Sequence, residues 1–238
     1  MSCVPIFNEK AHTYTDPEDH FQYLSVTRWV EQYKPYFDEM GWAKKIATRE
    51  GVSVEFILED WEKKREDSKL FGTAVHRILE TYFKSGKIID SPLKHIVEKF
   101  IQLNVTLDKK NCFFEKLVFN KELKIAGTSD VIMHNTGKKT FNVYDFKTNK
   151  KLRYASAFKE TLNSPLSHYP CSEYFTYALQ LSMYAYLYKL MSGLEPNRLK
   201  IFWYNRVEPE NYKNLDGEWQ IINVPYLEED ILKCNEKN

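Results

Sequence analysis

The amino-acid sequence predicts an α/β or α+β fold in which a central mixed sheet is flanked by helices, with a helical region towards the N-terminus. Helical and strand-like patterns follow one another in the order α-β-β-β-α-β, at residues 69–84, 113–119, 131–133, 141–144, 173–191 and 199–204. A run of strands enclosed by helices is typical of helices packed against a sheet. The sequence therefore predicts a layered fold.

The first of these helices is predicted from apolar residues spaced three or four apart. They are Leu70, Phe71, Ala74, Val75, Ile78, Leu79 and Tyr82. His76 lies at the margin of this stripe, four residues after Gly72. Taken alone, a histidine in that place is more often structural than a ligand. Because an acidic hairpin follows it in the sequence, we interpret His76 as a candidate metal ligand.

The next pair of strands is predicted to form that hairpin. Asn135 and Gly137 lie between them and are typical of a hairpin turn. Because side chains alternate along a strand, Asp145 and Lys147 project from one face. The neighbouring strand can bring Asp130 close to them. Two carboxylates and a lysine at the end of a sheet suit a hard divalent cation with a cationic helper.

The strand before this hairpin carries a charge on each of its faces. Glu115 shares one face with Phe113 and Leu117, whereas Lys116 shares the other with Phe114. A charge among apolar neighbours needs a physical reason. A place on the surface of an edge strand is one such reason for Glu115.

Four short motifs occur in a fixed order along the chain. They are Gly72-x-x-x-His76, Gly127-x-x-Asp130, Asp145-x-Lys147 and Gln180-x-x-x-Tyr184. In this order they resemble the PD-(D/E)XK nuclease superfamily, in the branch that contains the RecB nuclease domain and the mitochondrial genome maintenance exonuclease. The resemblance implies a restriction-endonuclease-like core and metal-dependent hydrolysis of phosphodiester bonds.

The resemblance also implies a set of metal ligands. Asp130, Asp145 and His76, with the backbone carbonyl of Phe146, are expected to hold Mg²⁺ or Mn²⁺. In that superfamily a glutamate on the strand before G-x-x-D often reaches the metal. Glu115 is therefore a fourth candidate.

The resemblance also implies functions for three further side chains. Lys147 is expected to position the nucleophile and to stabilise charge in the transition state. A role as base would require its pKa to fall far below the ordinary value of about 10.4. Gln180 and Tyr184 share a helix face, and they either contact substrate and position the metal shell or form a polar pair beside the core.

Residues 28–49 are a candidate contact surface for DNA. Aromatic and basic side chains interleave there, beginning with Arg28 and Trp29 and including Trp42. Such a pattern suits the stacking of bases and the binding of phosphates. The alternative is a pair of amphipathic helices packed on the core.

A second candidate contact surface follows the catalytic strand. Lys150, Lys151 and Arg153 are expected to contact phosphates, with Tyr154 or Phe158 stacking on bases. The alternative is a surface loop with ordinary lysines.

The overall charge excludes a strong general attraction to nucleic acid. The chain has 34 Lys and Arg residues against 33 Asp and Glu residues, a formal net charge of +1. DNA binding must therefore come from local clusters. No G-x-x-x-x-G-K-[ST] motif occurs, so no ATP motor is expected in this chain.

The sequence also bears on the compartment and on cofactors. It has no apolar run of twenty residues, and its first ten residues do not resemble a signal peptide. We therefore expect no association with a membrane. The expected compartment is the cytoplasm of a bacterial or phage-infected cell, and an organelle is the alternative. The four cysteines have no C-x-x-C spacing. Since only Cys234 follows the Gln180 helix, no iron–sulfur cluster is expected.

We expect one nuclease domain over 1–238, with an N-terminal helical elaboration at about 22–68 and a catalytic core at about 69–205. The expected function is an ATP-independent DNA exonuclease in recombination, repair or phage DNA metabolism. Its expected partners are DNA with a free end and a helicase or a single-strand annealing or binding protein. An endonuclease with the same site and a catalytically silent DNA-binding or assembly protein are the alternatives.

Overall fold

A computed structural model of the chain describes residues 3–8, 11, 13–105, 107, 110–206 and 217–236. The helices in these ranges are α1 (Val26–Glu31), α2 (Glu39–Glu50), α3 (Val54–Ser85), α4 (Lys94–Gln102), α5 (Glu173–Ser192) and α6 (Glu228–Asn235). The strands are β1 (Ile6–Asn8), β2 (Thr13–Thr15), β3 (Gln22–Ser25), β4 (Cys112–Asn120), β5 (Ile125–His134), β6 (Thr140–Lys147), β7 (Glu195–Arg206) and β8 (Gly217–Val224).

The strands form one mixed sheet in the order β1-β2-β3-β5-β6-β7-β8, and β4 also pairs with β5. The β4–β5 and β5–β6 pairs are antiparallel, whereas β6 lies parallel to β7 because α5 connects them. The predicted fold class, a mixed sheet flanked by helices, is confirmed.

Helices cover both faces of the sheet. On one face α1, α5 and α6 pack against side chains such as Val143 and Ile201. On the other face α3 and α4 pack against side chains such as Tyr144 and Phe202. Because side chains alternate along β6, the ring of Phe146 belongs to the α3 face and its two neighbours in sequence project towards α5.

The region predicted to be helical at 22–68 begins with a strand. β3 occupies its first four residues and lies parallel to β5, so this segment contributes to the sheet. α1 follows directly, with its N-terminus capped by Ser25, whose hydroxyl accepts a hydrogen bond from the Arg28 amide at 3.2 Å.

The helix that carries His76 is longer than predicted. α3 runs without interruption for 32 residues from its Ser53 cap to Gly86, which has a φ of +74°. Its N-terminal half contains the charged run at 59–69, whose ion pairs are spaced at helical intervals. The division of the chain at residues 68 and 69 stays a prediction.

No helix within the described ranges combines the length and the apolar content needed to cross a membrane.

Asp16 connects the turn after β2 to the turn between β4 and β5. Its side chain is fully buried. It accepts hydrogen bonds from the amides of Glu18 and Asp19 at 2.9 Å each and from the Tyr23 hydroxyl at 3.0 Å, and Lys121 Nζ lies 3.4 Å away. These bonds, led by that from Asp19, outweigh burial and lower the pKa of Asp16 to about 2.

Replacing Asp16→Asn should lower the thermal midpoint at pH 7. An aspartate in the unfolded chain titrates near pH 3.9, so the ionised carboxylate stabilises the fold above about pH 4, and this contribution is lost as the pH falls towards 2. The difference between wild type and variant, measured by calorimetry, should shrink over that interval. Glu122→Gln, an exposed change in the turn between β4 and β5, should show little difference. A gap that stays constant between pH 5 and 2 would contradict this account.

Candidate active site

The candidate site lies where β5 and β6 separate. The last pair between these strands joins Val131 to Tyr144. β6 pairs with β7 along its whole length, so its residues after Tyr144 keep β7 as their strand partner and lack one in β5. Asp130 directly precedes this last pair. Its Oδ2 accepts a hydrogen bond from the amide of Phe146 at 2.6 Å. The carboxylate thus replaces the missing strand partner and is fixed in the opening between the strands, which we call the fork.

His76 reaches the fork from α3. Its Nδ1 lies 3.3 Å from Asp130 Oδ1, and its Nε2 lies 3.0 Å from the carbonyl oxygen of Phe146. Burial by itself would lower the pKa of His76, but the charges of Asp130 and Asp145 outweigh it and raise the pKa to about 9. A protonated ring donates to both oxygens, so it joins two groups that the sequence predicts as metal ligands.

Glu115 enters the fork from β4. The pairs on either side of it keep one register, which places Glu115 opposite Asp130. Its φ is +48°, a left-handed conformation that costs a non-glycine residue about 1–3 kcal/mol. Burial, followed by the charge of Asp130, raises the pKa of Glu115 to about 7. The backbone is thus strained at the residue that brings a third titratable group to the fork.

The ligand atoms of His76, Glu115 and Asp130 all lie within 4.8 Å of one another. Two carboxylates and an imidazole, with the carbonyl of Phe146 in reach of the same ring, are a donor set that fits a hard divalent cation. The nitrogen ligand favours Mn²⁺ over Mg²⁺.

Asp145 and Lys147 form an ion pair beside these ligands. Asp145 Oδ2 lies 2.5 Å from Lys147 Nζ, and the amine also lies 4.7 Å from the ring centre of Tyr177. Burial and the charge of Asp130 raise the pKa of Asp145 to about 6 against the opposing effect of Lys147. Burial lowers the pKa of Lys147, but Asp145 outweighs it and the net direction is upward. The amine therefore stays protonated at neutral pH.

Gln180 and Tyr184 lie together on α5. The Gln180 amide donates to the Tyr184 hydroxyl at 3.0 Å. The ring of Tyr184 is buried and lies so close to Gly127 that a Cβ there would be 2.7 Å from it. Tyr184 is therefore a packing residue for the start of β5 as well as the partner of Gln180.

Tyr177 was not predicted from the sequence. It lies three residues before Gln180 and seven before Tyr184, so the three share one face of α5. Extending the helical spacing backwards from the Gln180 motif would have found it.

The proposed DNA contact at Trp29 is wrong. Its side chain is 0% exposed and packs on Tyr33, with ring centres 5.1 Å apart, so neither ring face is open to a base. Arg28 is exposed on the same helix. Arg153 forms an ion pair with Glu173, so its guanidinium already has an acidic partner.

Lys150 and Lys151 follow the end of β6 and are exposed. The end of this strand is held by Trp203, whose indole N–H donates to the carbonyl of Asn149 at 2.7 Å. Tyr154 lies further along the loop, half-exposed, with its ring centre 4.5 Å from that of Tyr174. The loop therefore leaves the fork with two exposed cations on it.

An aromatic patch joins this loop to α2 and α3. It consists of Phe37, Trp42, Trp61 and Phe158. The ring centres of Trp42 and Phe158 are 5.1 Å apart, and Lys45 Nζ lies 4.7 Å from the ring of Trp42. About half of the Phe37 and Phe158 side chains is exposed. The two segments predicted to contact DNA therefore meet at one surface.

Comparisons with known proteins give little beyond this geometry. No protein-family profile and no curated protein matches the chain. Among solved structures, the chain is similar to the crystal structure of a protein from Eubacterium rectale named "Putative exonuclease", with 11% identity and a TM-score of 0.39 over 90% of this chain and 77% of that chain. At this identity and TM-score the likeness carries no functional conclusion.

Gly127→Ala should lower the free energy of unfolding by about 1–3 kcal/mol, the usual cost of overpacking. A Cβ there would lie 2.7 Å from the Tyr184 ring and 2.9 Å from the Val26 side chain. Urea denaturation measures the loss.

Gly72→Ala is the matched control. A Cβ there would lie 3.3 Å from the Thr148 hydroxyl, and alanine is favoured over glycine in a helix by about 1 kcal/mol. Stability should be unchanged or raised. Equal losses in both variants would show that contact with Tyr184 does not require the glycine of β5.

Proposed function

We propose that this protein is a metal-dependent deoxyribonuclease that hydrolyses phosphodiester bonds, acting as an exonuclease. The observation that carries the proposal is the group of His76, Glu115 and Asp130 ligand atoms within 4.8 Å of one another, beside the Asp145–Lys147 ion pair. Apart from Glu115, these residues belong to the motifs whose order resembles the PD-(D/E)XK nucleases, so geometry and sequence support the same chemistry.

In this proposal His76, Glu115, Asp130 and Asp145 hold Mg²⁺ or Mn²⁺, with the carbonyl of Phe146 as a further oxygen ligand. The bound ion would lower the pKa of a water molecule and offset charge on the phosphate. His76 would give up its proton on metal binding, because a ligating imidazole nitrogen must be unprotonated. Asp130 would keep its place through its bond from the Phe146 amide.

Lys147 would position the nucleophile and stabilise negative charge on the phosphate. Its pKa is raised by Asp145, so the amine is a hydrogen-bond donor at neutral pH, which fits the positioning role. A fixed cation beside the phosphate stabilises the transition state most where negative charge develops during the reaction.

DNA with a free end is the proposed substrate. The aromatic patch is suited to stacking on bases, and Lys150 and Lys151 are suited to phosphates near the fork. With a net charge of +1, recognition would depend on these local contacts. The proposed setting is recombination, repair or phage DNA metabolism in the cytoplasm, beside a helicase or a single-strand annealing or binding protein.

Asp145→Asn and Lys147→Met should each abolish cleavage of DNA, because their side chains act on the transition state. The measurement is release of nucleotides from labelled linear DNA with Mg²⁺, with Mn²⁺ and with EDTA. The wild type should be active only with the metals. Turnover at the wild-type rate in either variant would end the assignment of this site.

Metal binding provides the matched control. Mn²⁺ titrated by calorimetry should bind to Lys147→Met about as it binds to the wild type, and more weakly to His76→Ala. If His76→Ala binds Mn²⁺ as well as the wild type does, the histidine has a structural role.

Linear DNA should be degraded progressively, with closed circular duplex spared under the same salt and Mg²⁺. Trp42→Ala and Phe158→Ala should reduce processivity more than the cleavage of a short single-stranded oligonucleotide, since stacking contributes about 1–3 kcal/mol per base. Phe56→Ala, an exposed aromatic residue outside the patch, is the control. Rapid cutting of closed circles would favour an endonuclease, and binding without any cleavage would favour the silent alternative.

A further inference from the structure

A second cleft opens on the α3–α4 face of the sheet and has a volume of about 660 Å³. α4 ends at Gln102, so it does not cover this end of the sheet. The floor of the cleft is formed by β6 and β7, and its walls by residues 103–105 and by the turn between β5 and β6. It shares no lining residue with the pocket that contains His76 and Lys147. We call it the asparagine cleft.

Three cations line the asparagine cleft without a counter-charge. They are Lys138, Arg198 and Lys200, and no aspartate or glutamate is among the described residues that line it. Within the described ranges none of the three forms an ion pair. Elsewhere in the protein exposed lysines such as Lys84 and Lys94 have an acid one helical turn away. Cations gathered in a concave surface raise the local concentration of anions.

The sheet fixes two of these cations. Arg198 pairs with Asn142 and Lys200 with Tyr144 in the parallel β6–β7 ladder. Residues two apart on a strand share a face, so all four belong to the cleft floor. The two cations thus lie two residues apart on one face of β7, and their backbone positions are set by the sheet, independently of loops.

Asparagine amides form the polar part of the cleft. Asn142 is 3% exposed and exchanges hydrogen bonds with Asn135, donating to it at 2.8 Å and accepting from it at 3.4 Å. It also accepts from Asn197 at 3.0 Å. Asn135 also donates to the Thr140 hydroxyl at 2.9 Å, so both of its N–H groups are engaged. Among the described residues the Asn197 side chain bonds to Asn142 alone, so its second N–H and its carbonyl oxygen remain as a donor and an acceptor at the cleft surface.

We propose that the asparagine cleft binds a nucleoside phosphate. The three cations suit the phosphate, the Asn197 amide suits the donor and acceptor edge of a base, and the volume lies within the range of small-molecule sites. The proposal does not rest on the nuclease function, because it uses none of the residues of the fork.

The test is calorimetric titration of the full chain in EDTA at low salt with ATP, dTMP, inorganic phosphate and a single-stranded oligonucleotide as separate probes. Nucleotide should bind at one site. Arg198→Gln with Lys200→Gln should weaken binding about tenfold or more, as loss of two charge-assisted bonds implies. Lys138→Gln lies in a turn, where it cannot disturb the ladder, and should also weaken binding. Thermal unfolding establishes that each variant is folded.

Two controls separate this site from the fork. Lys87→Gln removes an exposed cation elsewhere and should leave nucleotide binding unchanged, as should Asp145→Asn. The proposal fails if the wild type binds neither nucleotide, or if the folded Arg198 and Lys200 double variant or the Lys138 variant binds like wild type. It also fails if only the oligonucleotide binds, which would make the cleft a nucleic-acid track, or if phosphate alone binds as tightly as the nucleotides.

Discussion

The hydrogen bond from the Phe146 amide to Asp130 is the interaction on which the site depends. β6 leaves β5 after Tyr144, and a buried amide without a partner would be costly. Asp130 supplies that partner, so the strands can part while the ring of Phe146 stays in the core. The other oxygen of Asp130 is then left facing His76. The Asp130 side chain thus allows β5 and β6 to separate, and it also contacts His76 in the space between them.

Charge balance is the second constraint on the fork. Three carboxylates lie close enough together for Asp130 to raise the pKa of both Glu115 and Asp145. Bound protons and the Lys147 amine balance the negative charge of these carboxylates, since the pKa of His76 is raised well above its ordinary value and the ring keeps its proton. A cation bound among these groups would take over that role. The left-handed backbone at Glu115 indicates that the fold bears a local cost to place this carboxylate beside His76 and Asp130.

Side-chain alternation was enough to predict that Asp145 and Lys147 would lie together and that the hairpin would bring Asp130 near them. Other features needed tertiary information. Glu115 reaches the fork through a left-handed φ that no glycine marks in the sequence. Trp29 belongs to an aromatic and basic pattern, yet such a pattern does not say which side of a helix faces the core. β3 has only four residues, too few for a periodic signal, and its partner lies about a hundred residues away.

α3 has a consequence for how much substrate the protein can hold. It carries Trp61 of the aromatic patch and His76 of the fork on one uninterrupted helix, and the rise per residue separates them by about 22 Å. With a stacked strand advancing about 3.4 Å per nucleotide, that interval corresponds to roughly six nucleotides. In the proposed nuclease the length of α3 between Trp61 and His76 would therefore set the shortest strand that contacts both residues. A strand shorter than this interval would not reach from Trp61 to His76, so degradation would end in short oligonucleotides released before they are fully consumed.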